Sequence, residues 1–403
     1  MAATERWLKA GSSCQRLLRE FAALWRARPH RTVRGSTLRV ARVAGGVLGG
    51  VLAGGAAHAV DLPEDRADAM IHVYDGGGVR ASGPALLVRK KVNDSISLNG
   101  TYYVDMVSNA SIDVVTTASP YKETRNEYSL GADYVYQDAL ITLGTTRSRE
   151  PDYISNTTNL DVSEEVFGGL ATVSLGFSRG ADQVGKKDIG FFDRATHWKY
   201  RVGLTQILTP RWLASINTEA VADSGFLGSP YRAARVFGAA VAERNPRTRS
   251  SRAIKFSSLY DISDIVGGGS RSSLRAEYRY FWDNWAIKAH TLELGYSRYF
   301  GDKWLAEGFG RFYKQSAALF YSDNAQSETT YVSRNRQLSA YNDIGLGGKV
   351  AYTVKQVPGK YEIKLNGSYE YMRFKFNDFT DIRTGGLYAY NASVLQLFVS
   401  ATF

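Results

Sequence analysis

From about residue 67 to its last residue, this 403-residue chain repeats runs of 9–16 residues in which apolar and polar side chains alternate. In Ser95–Met106 the apolar set is Ile96, Leu98, Tyr102, Val104 and Met106. The set between them is Ser95, Ser97, Asn99, Thr101, Tyr103 and Asp105. Arg125–Tyr136 and Lys360–Met372 follow the same rule. A period of two puts one set on each face of a pleated strand. A chain built this way is all-β, and one face of every strand is apolar. Helical periodicity is absent beyond the first sixty residues, while Tyr, Thr, Val, Phe and Trp interleave with Gly and Ser.

Two architectures satisfy that pattern. A soluble sandwich turns the apolar face inward. A membrane barrel turns it outward to lipid and keeps the polar face inside. Three features favour the barrel. The runs are long enough for tilted spans of about 9–11 residues. Aromatic residues sit at run ends, as at Trp198 and Tyr200, Trp212, Trp282 and Trp285, and Tyr299, Phe300 and Trp304, where membrane interfaces attract them. Finally, tight turns alternate with long connections. The tight ones lie near Asn93-Asp94, Gln137-Asp138, Gly168-Gly169, Thr209-Pro210, Gly301-Asp302 and Pro358-Gly359, with a longer one at Gly267–Gly269. The long ones lie near 107–123, 181–194, 223–251, 316–339 and 377–390. Short periplasmic turns and long outer loops have this asymmetry.

The expected fold is therefore a single transmembrane antiparallel β-barrel. Seven short turns join fourteen strands, and Asn391–Phe403 adds another. Both ends of a bacterial barrel lie on the periplasmic side, so the count is even. A first strand near Ala67–Asp75, turning at Gly76-Gly77-Gly78 into Gly83–Val92, completes sixteen. Fourteen is the alternative if this N-terminal segment lies in the lumen. In the last run Leu395, Leu397, Val399, Ala401 and Phe403 occupy every second position. That strand resembles the signal read by the outer-membrane insertion machinery, which is one expected partner.

The first 59 residues read differently. Arg31, Arg34, Arg39 and Arg42 precede an apolar, glycine-rich run, Val43 to Ala56. Ala57-His58-Ala59 then forms a small-x-small cleavage site before Val60. Charge, core length and exit motif are those of a signal peptide. The expected organisation is a removed leader, 1–59, and a barrel, 60–403, in the bacterial outer membrane. The n-region is long for such a leader, and a translation start near Val33 would account for it.

The net charge of +11 suggests nucleic acid until it is divided. Residues 1–59 hold 10 of the 50 Lys and Arg and 2 of the 39 Asp and Glu, leaving 40 against 37. A nearly balanced body gives no reason to expect a phosphate backbone. The one cysteine, Cys14, lies in the leader, so the barrel has no disulfide, thiolate metal site or haem attachment. No cofactor or metal is expected.

The polar faces supply the candidate lumen residues. They are Arg275, Glu277 and Arg279, Glu293, Glu307 and Arg311, and Glu362, Lys364 and Glu370, with Lys199 and Arg201 facing Glu219. Opposite charges on neighbouring strands pair across the pleat. A paired ladder that stiffens the interior is the simpler reading, and a solute-selective lining is the functional one. No ring of one sign appears, so strong ion selectivity is not expected. Segments 223–251 and 316–339 are candidates to fold inward as constrictions. The first is basic, with Arg232, Arg235, Arg244, Arg247, Arg249 and Arg252, suited either to solvent or to lipopolysaccharide phosphates or acidic solutes.

Catalysis needs a nucleophile, a base and an orienting group. His290 shares the apolar face of Leu292, Leu294 and Tyr296, His197 sits beside Trp198 at a girdle position, and His72 lies near the chain start. No Ser-His-acid set is suggested. Gly76–Gly78 lacks the Lys or carboxylates of a phosphate or calcium loop and reads as a turn.

Several strings resemble the domain-of-unknown-function 3570 family. They include Asp65-Arg66-Ala67-Asp68-Ala69, Tyr74–Gly78 (YDGGG), Tyr102–Ser108 (YYVDMVS), Ala110–Tyr121 (ASIDVVTTASPY) and Leu175–Gly180 (LGFSRG). Tyr200–Thr209 (YRVGLTQILT), Ala276–Phe281 (AEYRYF) and Phe320–Asp323 (FYSD) continue the series in order. The resemblance implies a Gram-negative outer-membrane barrel with no assigned activity. It also implies a setting near small lipoproteins, thioredoxin-like proteins and flavin-attachment enzymes, hence a small lipoprotein or periplasmic redox partner. The leading expectation is a non-enzymatic channel, or a housing for a partner. The alternatives are an outer-membrane enzyme acting on lipid or peptide, and an adhesin or scaffold working through its long loops.

Overall fold

A computed structural model describes residues 60–109, 111, 121–266 and 270–403. The expected leader with Ala57 and Ala59, residues 110 and 112–120, and the expected turn at 267–269 lie outside the described residues.

The strands in chain order are β1 (Arg66–Gly76), β2 (Val79–Lys91), β3 (Ile96–Asn109), β4 (Tyr121–Tyr136), β5 (Ala139–Glu150) and β6 (Tyr153–Val166). Next come β7 (Ala171–Lys186), β8 (Phe191–Thr209), β9 (Trp212–Gly225), β10 (Ala233–Val236), β11 (Ala239–Ala242) and β12 (Thr248–Asp261). The last six are β13 (Ser272–Asp283), β14 (Lys288–Phe300), β15 (Trp304–Gln315), β16 (Tyr341–Val357), β17 (Tyr361–Thr380) and β18 (Leu387–Thr402). Sixteen of these close into one antiparallel barrel, each paired with its chain neighbour and β18 returning to β1. β10 and β11 form a separate hairpin inside the β9–β12 connection. This is the sixteen-strand reading, with the N-terminal segment in the wall and not in the lumen.

Parity sets the two faces of that wall. Along β17, Leu365, Tyr369 and Tyr371 point out, while Asn366, Ser368 and Glu370 point in. Ile71, Leu130, Leu346 and Leu397 are 54–68% exposed on the outer surface. Exposing such side chains to water costs about 1.5–3 kcal/mol each. A closed barrel with a continuous apolar outer band is stable where lipid covers that band. Closure leaves no unpaired edge.

β1 begins and β18 ends at the same end of the barrel, here called the inner end. Asp65 holds the seam there. Its carboxylate accepts from Lys90 Nζ at 2.6 Å and from the Lys91 amide at 2.5 Å. Its carbonyl accepts from the Phe403 amide at 3.0 Å. Lys90 Nζ also stands 5.0 Å from the centre of the Phe403 ring. At the outer end β1 turns into β2 through Gly77 and Gly78, with φ of 59° and 79°. Two successive positive φ values define a tight hairpin turn that glycine enters without strain.

The long-loop expectation needs correction at two places. Segment 181–194 is mostly strand, because β7 runs to Lys186 and β8 starts at Phe191. Segment 377–390 shrinks to residues 381–386. Asp182 and Asp193 look like turn residues in the sequence but are strand residues holding His197 and Arg247. Tight connections also occur at the outer end, at Pro151-Asp152 and at residues 284–287. The two long connections that remain among the described residues, 226–247 and 316–340, build the candidate site.

Candidate functional site: a charged lumen beneath a two-loop cap

The antiparallel register brings inward charges from adjacent strands side by side. Glu277 lies opposite Glu293, which lies opposite Arg311. Arg275 is the centre of the resulting network. Its Nη1 is 2.8 Å from Glu293 and 3.5 Å from Glu277, and its Nη2 is 2.8 Å from Glu307. Reaching Glu307 means crossing β14, and Gly295 makes that possible. A Cβ there would lie 3.1 Å from Arg275 Nη2 and 3.3 Å from Glu307.

The network extends in both directions. Lys255 pairs with Glu277 at 2.7 Å, Lys349 with Glu307 at 3.8 Å, and Arg311 with Asp343 at 2.8 Å and Glu370 at 3.8 Å. Arg279 lies 3.8 Å from Glu219, which is 3.4 Å from Lys199, and Arg201 pairs with Asp161 at 2.6 Å. Lys364 pairs with Glu362 at 2.7 Å. All nine charges proposed for the lumen therefore sit on inward positions and carry an opposite partner. Lys255, Arg279, Arg201 and Asp161 stay 32–37% exposed, so solvent reaches them.

Two histidines belong to this inner face, which local sequence did not suggest. His197 is inward and not in the girdle. Its Nδ1 is 2.7 Å from Asp223 and its Nε2 is 2.9 Å from Asp182. Tyr153 donates to the same Asp182. With carboxylates on both ring nitrogens, the imidazole has no nitrogen left to activate a hydroxyl nucleophile. His72 is buried, with Nε2 2.7 Å from Asp105 and 2.8 Å from the Tyr103 hydroxyl. Asp105 also lies 3.4 Å from Arg125. His290 points outward, with Nδ1 2.7 Å from the Tyr278 hydroxyl. Among the described residues no group of His, Cys, Asp and Glu is arranged to hold a metal ion.

The cap lies at the outer end. Segment 226–247 folds into the β10–β11 hairpin, turning at Phe237-Gly238. Its edges join segment 316–340 through a bridge between Val236 and Ala325 and another between Arg244 and Val332. Ala234, Val236 and Val332 bury together between the two loops, with Val241 and Ala325 against them. A second apolar cluster anchors the loops to the wall. It contains Trp285, Ile287, Ala318 and Leu338, packed on Leu227, Phe320, Tyr321 and the inward Phe281 of β13.

Polar contacts carry the cap across the mouth. Arg334 stacks 4.3 Å from the centre of the Phe379 ring and donates to the Thr380 carbonyl at 2.5 Å. Arg336 lies 5.2 Å from the Tyr390 ring on β18. Cation–π contacts of this kind strengthen as they leave water. Gln315 Nε2 donates to the Gln337 and Ser339 carbonyls at 2.9 and 2.7 Å. On the far side Tyr231 donates to Asp152, in the β5–β6 turn. Partial burial and that carboxylate push the Tyr231 phenol well above its ordinary value. Arg247 grips Asp193 of β8 with two bonds, at 2.7 and 2.9 Å. Arg247 and Arg249, proposed as loop cations, are thus structural clamps, Arg249 on Asp283 at 2.6 Å.

At the other end of the wall, Leu395, Leu397, Val399 and Ala401 form the outward face of β18, which pairs with β1 from Ala392–Gly76 to Thr402–Arg66.

The profile of the family described as "Protein of unknown function (DUF3570)" matches residues 106–188 and 186–379. No curated protein sequence matches the chain. Solved structures match at low identity. The siderophore receptor PirA of Pseudomonas aeruginosa matches with 10% identity and a TM-score of 0.44, over 79% of this chain and 60% of its own length. A bacterial polysaccharide outer-membrane secretin matches with 6% identity and a TM-score of 0.48, over 85% and 99%. A FadL homologue of Pseudomonas aeruginosa matches with 12% identity and a TM-score of 0.38, over 84% and 90%. The chain thus spans about three fifths of the siderophore receptor's length.

Proposed function

We infer that this chain, which belongs to the DUF3570 family of proteins of unknown function, is a non-enzymatic conduit of the bacterial outer membrane for small polar solutes. Residues 1–59 serve as its removed leader, and the strand ending on Phe403 as its signal for membrane insertion. One observation carries the reading: a solvent-reached interior, lined by paired charges, lies beneath a cap of two joined loops. A sixteen-strand barrel is wide enough for an aqueous path unless loops fill it. Paired charges keep the wall hydrated while cancelling the field that would select by sign. The loops then set the width of the path and the lining leaves it nearly indifferent to charge.

Planar-bilayer recording tests this. The refolded protein is expected to open small channels with weak cation–anion preference. Replacing residues 316–340 by a short Gly-Ser linker is expected to raise the conductance severalfold. Silence at every voltage in both proteins would overturn the conduit.

A further inference from the structure

Strands β12 to β17 carry cations on both faces, and parity divides them. The inward ones, including Lys255, Arg275 and Arg311, each have a carboxylate partner. The outward ones at the outer end, Arg252, Lys288, Lys314, Arg373 and Lys375, are all exposed. None of the five has an ion pair among the described residues, and no outward carboxylate lies among them.

The register shows how these five are arranged. Arg252 lies opposite Trp282, and Trp282 opposite Lys288. One step nearer the membrane, Lys314 lies opposite Asn342, and Asn342 opposite Lys375. Strands stand about 4.8 Å apart, so cations in a row are spaced about 10 Å apart. One further step in, Tyr278, Leu292, Phe312 and Ile344 form an exposed apolar row that also holds Arg373. The cations therefore border the outward apolar face at its outer end. Trp282 and Tyr280, stacked 5.3 Å apart, stand among them. Such rings settle at membrane–water interfaces.

Five exposed cations bordering the apolar face, with no acid among them, are placed to meet negative groups in the plane of the membrane. We propose that this face binds the phosphate groups of lipids in the leaflet at the outer end. The bidentate fork of Arg252 and Arg373 suits phosphate oxygens, and the three lysines supply point charges. Asn342 adds a neutral donor between Lys314 and Lys375. The acyl chains of the same lipid then cover Leu292, Phe312 and Ile344. The proposal rests on the outward reading of the apolar face and on the long-loop end being the outer one.

The test uses the folded protein in detergent, with purified lipopolysaccharide as probe, read by native mass spectrometry. Lipopolysaccharide is expected to bind the parent chain. Binding should weaken about tenfold or more in the variant Arg252→Gln, Lys288→Gln, Lys314→Gln, Arg373→Gln, Lys375→Gln. Enzymatic removal of the lipid phosphates should weaken it equally for the parent. A variant with Lys288→Arg, Lys314→Arg and Lys375→Arg should bind as the parent does. Equal binding by the glutamine variant, or by dephosphorylated lipid, overturns the proposal. Folding is followed separately by heat-modifiable gel mobility in phosphatidylcholine vesicles. A parent chain that fails to fold there would instead count against the barrel reading.

Discussion

Replacing Arg275 with methionine takes one cation from among three carboxylates. Arg275 is 10% exposed and holds Glu293 and Glu307 at 2.8 Å each and Glu277 at 3.5 Å. Removing one partner of a fully buried pair costs about 3–5 kcal/mol, mostly from the stranded charge. Two features reduce that figure here. Glu277 keeps Lys255 at 2.7 Å and Glu307 keeps Lys349 at 3.8 Å. Glu293 is also 23% exposed and can recover some hydration. The expected loss is about 2–3 kcal/mol. It would be read as a lower urea midpoint at unchanged slope, by tryptophan fluorescence of protein folded into vesicles. The triple variant Arg275→Met, Glu293→Gln, Glu307→Gln quenches the stranded charges and should recover more than half of the loss. A single variant within about 0.5 kcal/mol of the parent would refute the reasoning, since water alone would then be screening the network. So would a triple variant no better than the single.

Other consequences follow from the wall. Leu397→Arg, on the outward face of β18, should cost about 2–4 kcal/mol in the same vesicles, while Gln396→Arg on the inward face should cost far less. Pairing of β2 with β3 is interrupted between Ser82–Met106 and Ala85–Tyr103, where a Cβ on Gly83 would lie 1.9 Å from the Val104 carbonyl oxygen. Gly83→Ala should therefore lose about 3 kcal/mol, the upper end for overpacking, or fail to fold, and a parent-like urea midpoint would contradict the register. The hydrogen bond from Lys90 holds the Asp65 carboxyl below the usual carboxylate range. Its stabilisation is complete above the unfolded-state value and is lost as pH falls through the lowered folded value. The melting temperature of the parent should fall across that window, and Asp65→Asn should remove this part of the fall.

What the sequence revealed follows the range of each interaction. Period-two alternation is local, so it located the spans, their lipid face and the inward charges such as Arg275 and Glu307. The closing strand was legible for the same reason. Partners across strands depend on register, which turn lengths fix only jointly. His197 meets Asp182 and Asp223, which are 15 and 26 residues away. Nothing local marks those three as neighbours, and Trp198 beside the histidine pointed to the wrong face. The cap was half legible. Length and composition marked 223–251 and 316–339 as candidates to fold inward. The β10–β11 hairpin and its bridges to Ala325 and Val332 join residues about ninety apart, beyond any local pattern. Segment 181–194 reads as a long connection in the sequence, and Gly180, Gly185 and Gly190 lie in or beside it. Only Gly190 has a turn conformation, with φ of 66°.

The central claim is a wall with lipid outside and water inside, and β17 tests it in adjacent residues. The barrel residues contain no cysteine, so single cysteines can be placed there in a Cys14→Ser background. Cysteines replacing Asn366 and Ser368, which face inward, should react with a charged, membrane-impermeant thiol reagent in the folded protein in vesicles. Cysteines replacing Leu365 and Tyr369, which face outward, should resist it and react with a lipid-soluble maleimide. The reverse pattern would place the apolar face inside and contradict the account. Uniform resistance to the charged reagent would mean a dry interior and contradict the conduit.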